Sequence, residues 1–98
     1  MFEKVKLALR ITTDAFDDEI NNLIAAACLD LGIAGVLETV ASVDSENALI
    51  IRAVTTYCKL HFGNPSEKDY DRLKASYDEQ KAQLSMSTGY TDWSVQNA

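Results

Sequence analysis

The sequence predicts an all-α fold: a small bundle of three main helices, a short N-terminal helix before them and an extended C-terminal tail after them. Three observations carry this. Apolar residues recur at intervals of three and four along three long segments, which gathers them on helical faces. Capping residues and chain breakers fall between those segments: Asp14, Asp44, Gly63-Asn64-Pro65 and Ser66. Past Leu84 the chain turns polar and poor in aliphatic residues. With 98 residues and 47% hydrophobic composition, there is one domain with a modest core, and oligomerisation is a natural source of further stability.

The opening FEKVKLAL places Val5 and Leu9 at helical spacing with Phe2 one turn earlier, a short helix over 2–9. Arg10-Ile11-Thr12-Thr13 breaks it. Thr13 or Asp14 then caps a helix over 15–31. Asp17, Asp18 and Glu19 stand in its first turns, where the macrodipole favours negative charge. Phe16, Ile20, Leu23, Ile24, Ala27 and Leu31 form its apolar stripe, and Gly32 is a natural stop. Ala25-Ala26-Ala27 has high helix propensity and permits close packing against a neighbour.

Residues 33–43, IAGVLETVASV, are apolar, β-branched and interrupted by Gly35. A short strand, a turn of helix and a connection pressed over the core all fit. Asp44 caps the third helix, over 45–62, whose polar stripe is narrow: Arg52, Thr55, Thr56 and Lys59. A helix apolar on most sides is a buried one. Its β-branched content makes a strand the competitor, but so long a segment without a breaker favours helix. After Gly63-Asn64-Pro65, Ser66 opens an imperfect capping box, Ser-x-x-Asp, for a helix over 67–84. Tyr70, Leu73, Tyr77 and Leu84 mark one thin apolar edge, with Gln80 or Lys81 filling the missing turn. The rest is charged, with Asp71–Lys74 and Asp78–Lys81 at pairing distance. Such a helix packs at the periphery or leads the tail away.

The chain thus divides into a helical domain over 1–84 and a tail over 85–98. The tail holds Tyr90 and the sole tryptophan, Trp93. Short polar ends bury too little apolar surface to offset ordering entropy. Two large aromatics on such an end point to a surface supplied by their own domain or by another chain.

Composition narrows the function. Net charge is −6, spread along the chain without a basic block, so the protein does not grip nucleic acid, although DNA could slide past it. No apolar run reaches the ~18 residues of a membrane span. MFEKVKLALRI is too short and too charged for a signal peptide, so a cytosolic chain is expected. Cys28 and Cys58 lie in apolar helical patterns without CxxC spacing and read as buried free thiols. With one histidine they do not compose a zinc site. His61 suits the dipole at the end of its helix. Asp17, Asp18 and Glu19 diverge by ~100° each and cannot converge on one ion, while Asp69 and Asp71 read as solvated face. There is no phosphate-binding glycine loop. Arg52, a charge on an apolar helix, either pairs with a buried acid or reaches a neighbouring subunit. No catalytic residue, metal ligand or cofactor site is expected; a binding or structural module remains, with the tail as its main functional element.

In order, the chain runs VKLALRI, TDAFDDEINNLIAAACLDLGI, LIIRAVTTYCKLHFGNP, DYDRLKASYDEQKAQL and LSMSTGYTDW. This arrangement resembles the small head–tail connector (adaptor) proteins of long-tailed bacteriophages and prophages, also described as DNA-packaging proteins. The likeness covers nearly the whole chain, and its most specific part is FGNP followed by the charged helix and the aromatic tail. It implies a non-enzymatic protein of the virion neck, assembled in the bacterial cytoplasm. About a dozen copies would form a homo-oligomeric ring beneath the portal protein, extend the DNA channel and offer a platform for stopper or tail-completion proteins. DNA would only pass through. The resemblance makes Gly89, Tyr90 and Trp93 candidate portal contacts. Arg52, Tyr70 and Tyr77, together with the 33–43 segment, are candidates for contact between subunits. The competing expectation is a small helical regulatory or adaptor protein that binds a single partner at fixed low stoichiometry.

Overall fold

The computed structural model describes residues 1–91. Four helices follow one another, α1 (Phe2–Ala8), α2 (Asp17–Ile33), α3 (Ala48–His61) and α4 (Glu67–Ser85), and then a single 3-10 turn, Thr88–Tyr90. Among the described residues there is no strand; the extended pairing is an isolated antiparallel bridge between Val36 and Thr91. The all-α class and the short leading helix are as expected.

The central element is α3, which packs against each of the other three helices. Its Ile50, Ala53, Val54 and Cys58 are fully buried against Ile20, Ile24, Ala27 and Leu31 of α2, Tyr77 and Leu84 of α4, and Val5 of α1. Each fully buried aliphatic side chain contributes ~1.5–3 kcal/mol relative to exposure, so α3 carries most of the fold. It is less enclosed than its composition suggests, since Leu49 and Arg52 face outward.

The helix ends differ from expectation in informative ways. The second helix starts at Asp17 because Thr13 and Asp14 build a preceding turn: the Thr13 hydroxyl accepts from the Ala15 amide, and the Asp14 carbonyl from the Asp17 amide. Phe16 occupies the capping position without a side-chain hydrogen bond, and its ring meets Phe62 edge-on at 5.5 Å. The Asp14 and Asp17 carboxylates instead hold Lys6 of α1 at 3.1 and 2.8 Å, tying α1 to α2. Gly32 does not stop the helix. The stop is Gly35 at φ +108°, with Val36 N–H donating to Leu31 and Gly35 N–H to Gly32, the paired bonds of a Schellman ending. The same ending closes α1 with Arg10 at φ +61°, where Ile11 donates to Lys6 and Arg10 to Leu7.

The third helix starts later than expected because Asn47, not Asp44, caps it, accepting from the amides of Leu49 and Ile50. Ser66 caps α4 through the Asp69 amide, as its motif predicts. Of the three alternatives for 33–43, the connection over the core is the one realised: it runs as turns, with Val36 and Ala41 buried and Val40 packed against them. On α4 the ion pairs are Lys74–Asp78 at 3.0 Å and Arg72–Asp69 at 3.5 Å. Neither expected i, i+3 pair forms, because Lys74 selects the better-placed i+4 carboxylate and Lys81 turns to α2. Beyond α4, residues 86–91 fold back onto the domain instead of leaving it.

Candidate interaction surface

The fold-back is pinned at three points. Tyr90 C=O accepts from the Leu37 amide at 2.7 Å, and Thr91 bridges Val36. The Tyr90 hydroxyl accepts from the Asn47 side-chain amide at 2.9 Å. Asn47 thus caps α3 with its oxygen and holds the C-terminal turn with its nitrogen. Tyr90 is half-buried against the core, whereas Gly89 is exposed. Trp93 lies outside the described residues.

Beside this anchorage runs an apolar groove of about 700 Å³ between the outer face of α2 and the connection that follows it. Ala25, Leu29 and Ile33 stand four residues apart on that face, with Gly32 leaving room between them; Val36, Ala41 and Val43 line the other wall. Leu29 is 70% and Ile33 87% exposed. Contiguous exposed apolar residues of this kind mark interaction sites. Glu38 is the one charged residue in the lining. The sequence reading covers the apolar wall at 33–43 but not this second stripe of α2, whose signal is the four-residue period from Ala25 to Ile33.

The opposite connection, from α2 to α4, is polar. The Tyr77 hydroxyl donates to Asp30 Oδ2, and Lys81 Nζ donates to the same oxygen at 3.2 Å. The Lys81 ammonium also lies 5.2 Å from the Tyr77 ring centroid. Burial pushes the Asp30 carboxyl up, but the two hydrogen bonds and the Lys81 charge together outweigh it and hold the group below its ordinary value. The Tyr77 phenol is pushed strongly up, by burial first and then by its bond to Asp30.

Tyr77 is therefore a core residue, 3% exposed and set edge-on against Tyr57 at 5.3 Å, and its buried ring leaves little surface for a neighbouring subunit. Tyr70, two stripe positions earlier, is open on the α4 edge. Arg52 is exposed on α3 and pairs with no carboxylate among the described residues, so the buried-partner alternative falls away. His61 is exposed at the end of α3, its ring 4.3 Å from that of Tyr57. Both cysteines are free and buried; burial pushes the Cys58 thiol up to about 12 and raises Cys28 as well, which leaves neither as a ready nucleophile. Among the described residues no cluster of three or more His, Cys, Asp or Glu could hold a metal ion. What the surface offers is apolar area, an exposed edge and an anchored C-terminal segment.

A family model described as phage connector protein matches residues 1–91 of the chain. No curated protein and no solved structure gives a significant match.

Proposed function

The chain belongs to the phage connector protein family, and we propose that it acts as a ring-forming subunit beneath the portal, extending the DNA channel and presenting a platform to stopper or tail-completion proteins. The family is a structural one and its members are components of the phage virion. No helix among the described residues is long and apolar enough to cross a membrane. The observation that carries the reading is the extent of the family match, which takes in every helix and the anchored turn after α4.

The surface supports a ring in three respects. A head-to-tail ring needs two different patches per subunit, and the groove of α2 and the Tyr70 edge of α4 are distinct patches of different chemistry. A net charge of −6 per subunit, repeated around a channel, repels phosphates and lets DNA pass without sticking. The described fold ends at a fixed point, clamped by Tyr90 and Thr91, which suits a contact with the portal through Trp93 just beyond it.

The test is stoichiometry. Light scattering and negative-stain imaging of the chain, alone and mixed with its portal protein, are expected to give a ring of many copies at least in the portal's presence. A fixed complex of one or two copies would refute the ring. A chain ending at Thr91 keeps the clamp and lacks Trp93; its copurification with portal at undiminished yield would refute the Trp93 contact.

A further inference from the structure

Charge is divided unevenly along the chain. Residues 11–51 hold eight carboxylates and no lysine or arginine, whereas residues 1–10 hold three cations and one carboxylate. Asp14 and Asp17 are taken up by Lys6, and Asp30 by Lys81. Glu38 and Asp44 are exposed and pair with no cation among the described residues. Glu38 lines the groove of α2, and Asp44 follows Val43 of its wall. The groove is therefore apolar within and acidic at its edge.

The outer face of α1 has the complementary character. Leu7 is 78% exposed. Lys4 stands one turn before it and Arg10 three residues after it; both are exposed and pair with no carboxylate among the described residues. The other exposed large apolar residues outside the groove lack this setting. Phe16 stands among carboxylates, Leu49 and Tyr70 among charges of both signs, and Met86 among none. The α1 face cannot reach the groove of its own chain. Lys6 ties α1 to Asp17 at the start of α2, and Val5 is fully buried in the core. Ile33 lies at the far end of α2, ~24 Å along the helix.

We infer that the groove receives α1 of a second copy of this chain, with the neighbour's Leu7 against Leu29 and Ile33 and its Lys4 and Arg10 facing Glu38 and Asp44. This contact rests on the ring reading and names the surfaces that carry it. Opposite charges on the two faces steer the encounter and fix its register. The two patches sit at opposite ends of α2, so the contact is head-to-tail. Each bound pair leaves one groove and one α1 face free, and copies add until the arc closes.

Two blocked variants, alone and mixed, test the contact by light scattering, with and without the portal protein. Leu7→Ser removes the apolar side chain of the α1 face. Gly32→Arg fills the groove with a bulky cation, and a side chain added there meets nothing within 4 Å, so the fold accommodates it. Both variants are expected to keep the circular dichroism of the parent and to self-associate many-fold less readily. Mixed in equal amounts they are expected to form dimers and stop there, because each pair retains one intact groove and one intact α1 face. Added salt is expected to weaken the parent's association several-fold by screening the flanking charges. A parent that forms rings while either variant forms them equally well would overturn this contact and leave the ring standing. Variants that both fail alone and stay monomeric when mixed would overturn it too, since the two positions would not meet across one contact. Loss with Gly32→Arg but not with Leu7→Ser would put another element or another protein in the groove. Parent association indifferent to salt would remove α1 as the occupant, because charge is what selects it. A parent that stays monomeric alone and with portal would refute the ring, and this contact with it.

Discussion

The second helix has two apolar stripes of similar composition and opposite fate. Ile20, Ile24, Ala27 and Leu31 vanish beneath α3, while Ala25, Leu29 and Ile33 stand open along the groove. Hydropathy does not separate them; what covers them does. The inner stripe is closed by a whole helix of the same chain. The outer one meets only a turn-rich connection. Fold stability should reside in the first and association in the second, and each substitution below probes that division.

The largest effect should come from the inner stripe. Leu31→Ala empties a fully buried site and is expected to lower unfolding stability by ~2–5 kcal/mol, read from urea or thermal unfolding. Ile33→Ala, two residues on and exposed, is expected to stay within ~0.5 kcal/mol. Comparable losses at the two positions would mean that the outer stripe is also part of the core.

Next in size is the polar link from α2 to α4. Tyr77→Phe keeps the packing and strips Asp30 of one of its two donors, for an expected loss of ~1–3 kcal/mol. The link also has a pH signature. Asp30 is held below its ordinary value of 3.8 in the folded state, so its contribution is full above that value and is lost as pH falls through the lower folded one. The Tyr77 phenol is raised above 10.0; its contribution is full below 10.0 and declines as pH rises past it. Parent and Tyr77→Phe unfolding curves should therefore draw closer at both extremes of pH, and a difference constant across that range would show that the bond is not what the substitution removed.

Asn47→Ala should cost ~1 kcal/mol, the typical value of a helix cap, and should also loosen the C-terminal turn. Amide hydrogen exchange separates the two effects. Loss of protection at Leu49 and Ile50 reports the cap, and loss at Leu37, whose amide is held by Tyr90, reports the clamp. Undisturbed exchange at Leu37 would assign the clamp to the Val36–Thr91 bridge instead.

The division of α2 explains what was legible in the sequence. Periodicity exposed all four helices and most of the core, because burying an apolar stripe is a local pattern. Ser66 was legible as a cap because its serine and its helix are adjacent. Asn47 was not, since Asp44, Ser45 and Asn47 are all competent caps and the choice depends on the distant Tyr90. Lys81 appeared to belong to Asp78 on its own helix, and only the tertiary approach of Asp30 redirects it. Tyr77 reads as an aromatic on a thin edge whether it is buried or available to a neighbour. Gly32 and Gly35 are equivalent stops in one dimension; Val36, which must reach the core just after the stop, selects Gly35. The outer stripe was missed for the same reason: exposure is decided by what the rest of the chain leaves uncovered.

The smallest effect gives the sharpest test of the comparison. The Tyr90 hydroxyl meets the Asn47 side chain at 2.9 Å, and a double-mutant cycle measures that contact without reference to any partner. Asn47→Ala and Tyr90→Phe together should lose less than the sum of the two, with an interaction energy of ~0.5 kcal/mol, the low end of the range for residues in direct contact. The same cycle run with Ile33→Ser in place of Tyr90→Phe is the control, because Ile33 is 87% exposed on the outer stripe. Coupling at Tyr90 and additivity at Ile33 would show that the clamp belongs to the fold and that the outer stripe is energetically separate from it, open to association. Coupling at Ile33 would make the outer stripe a part of the core.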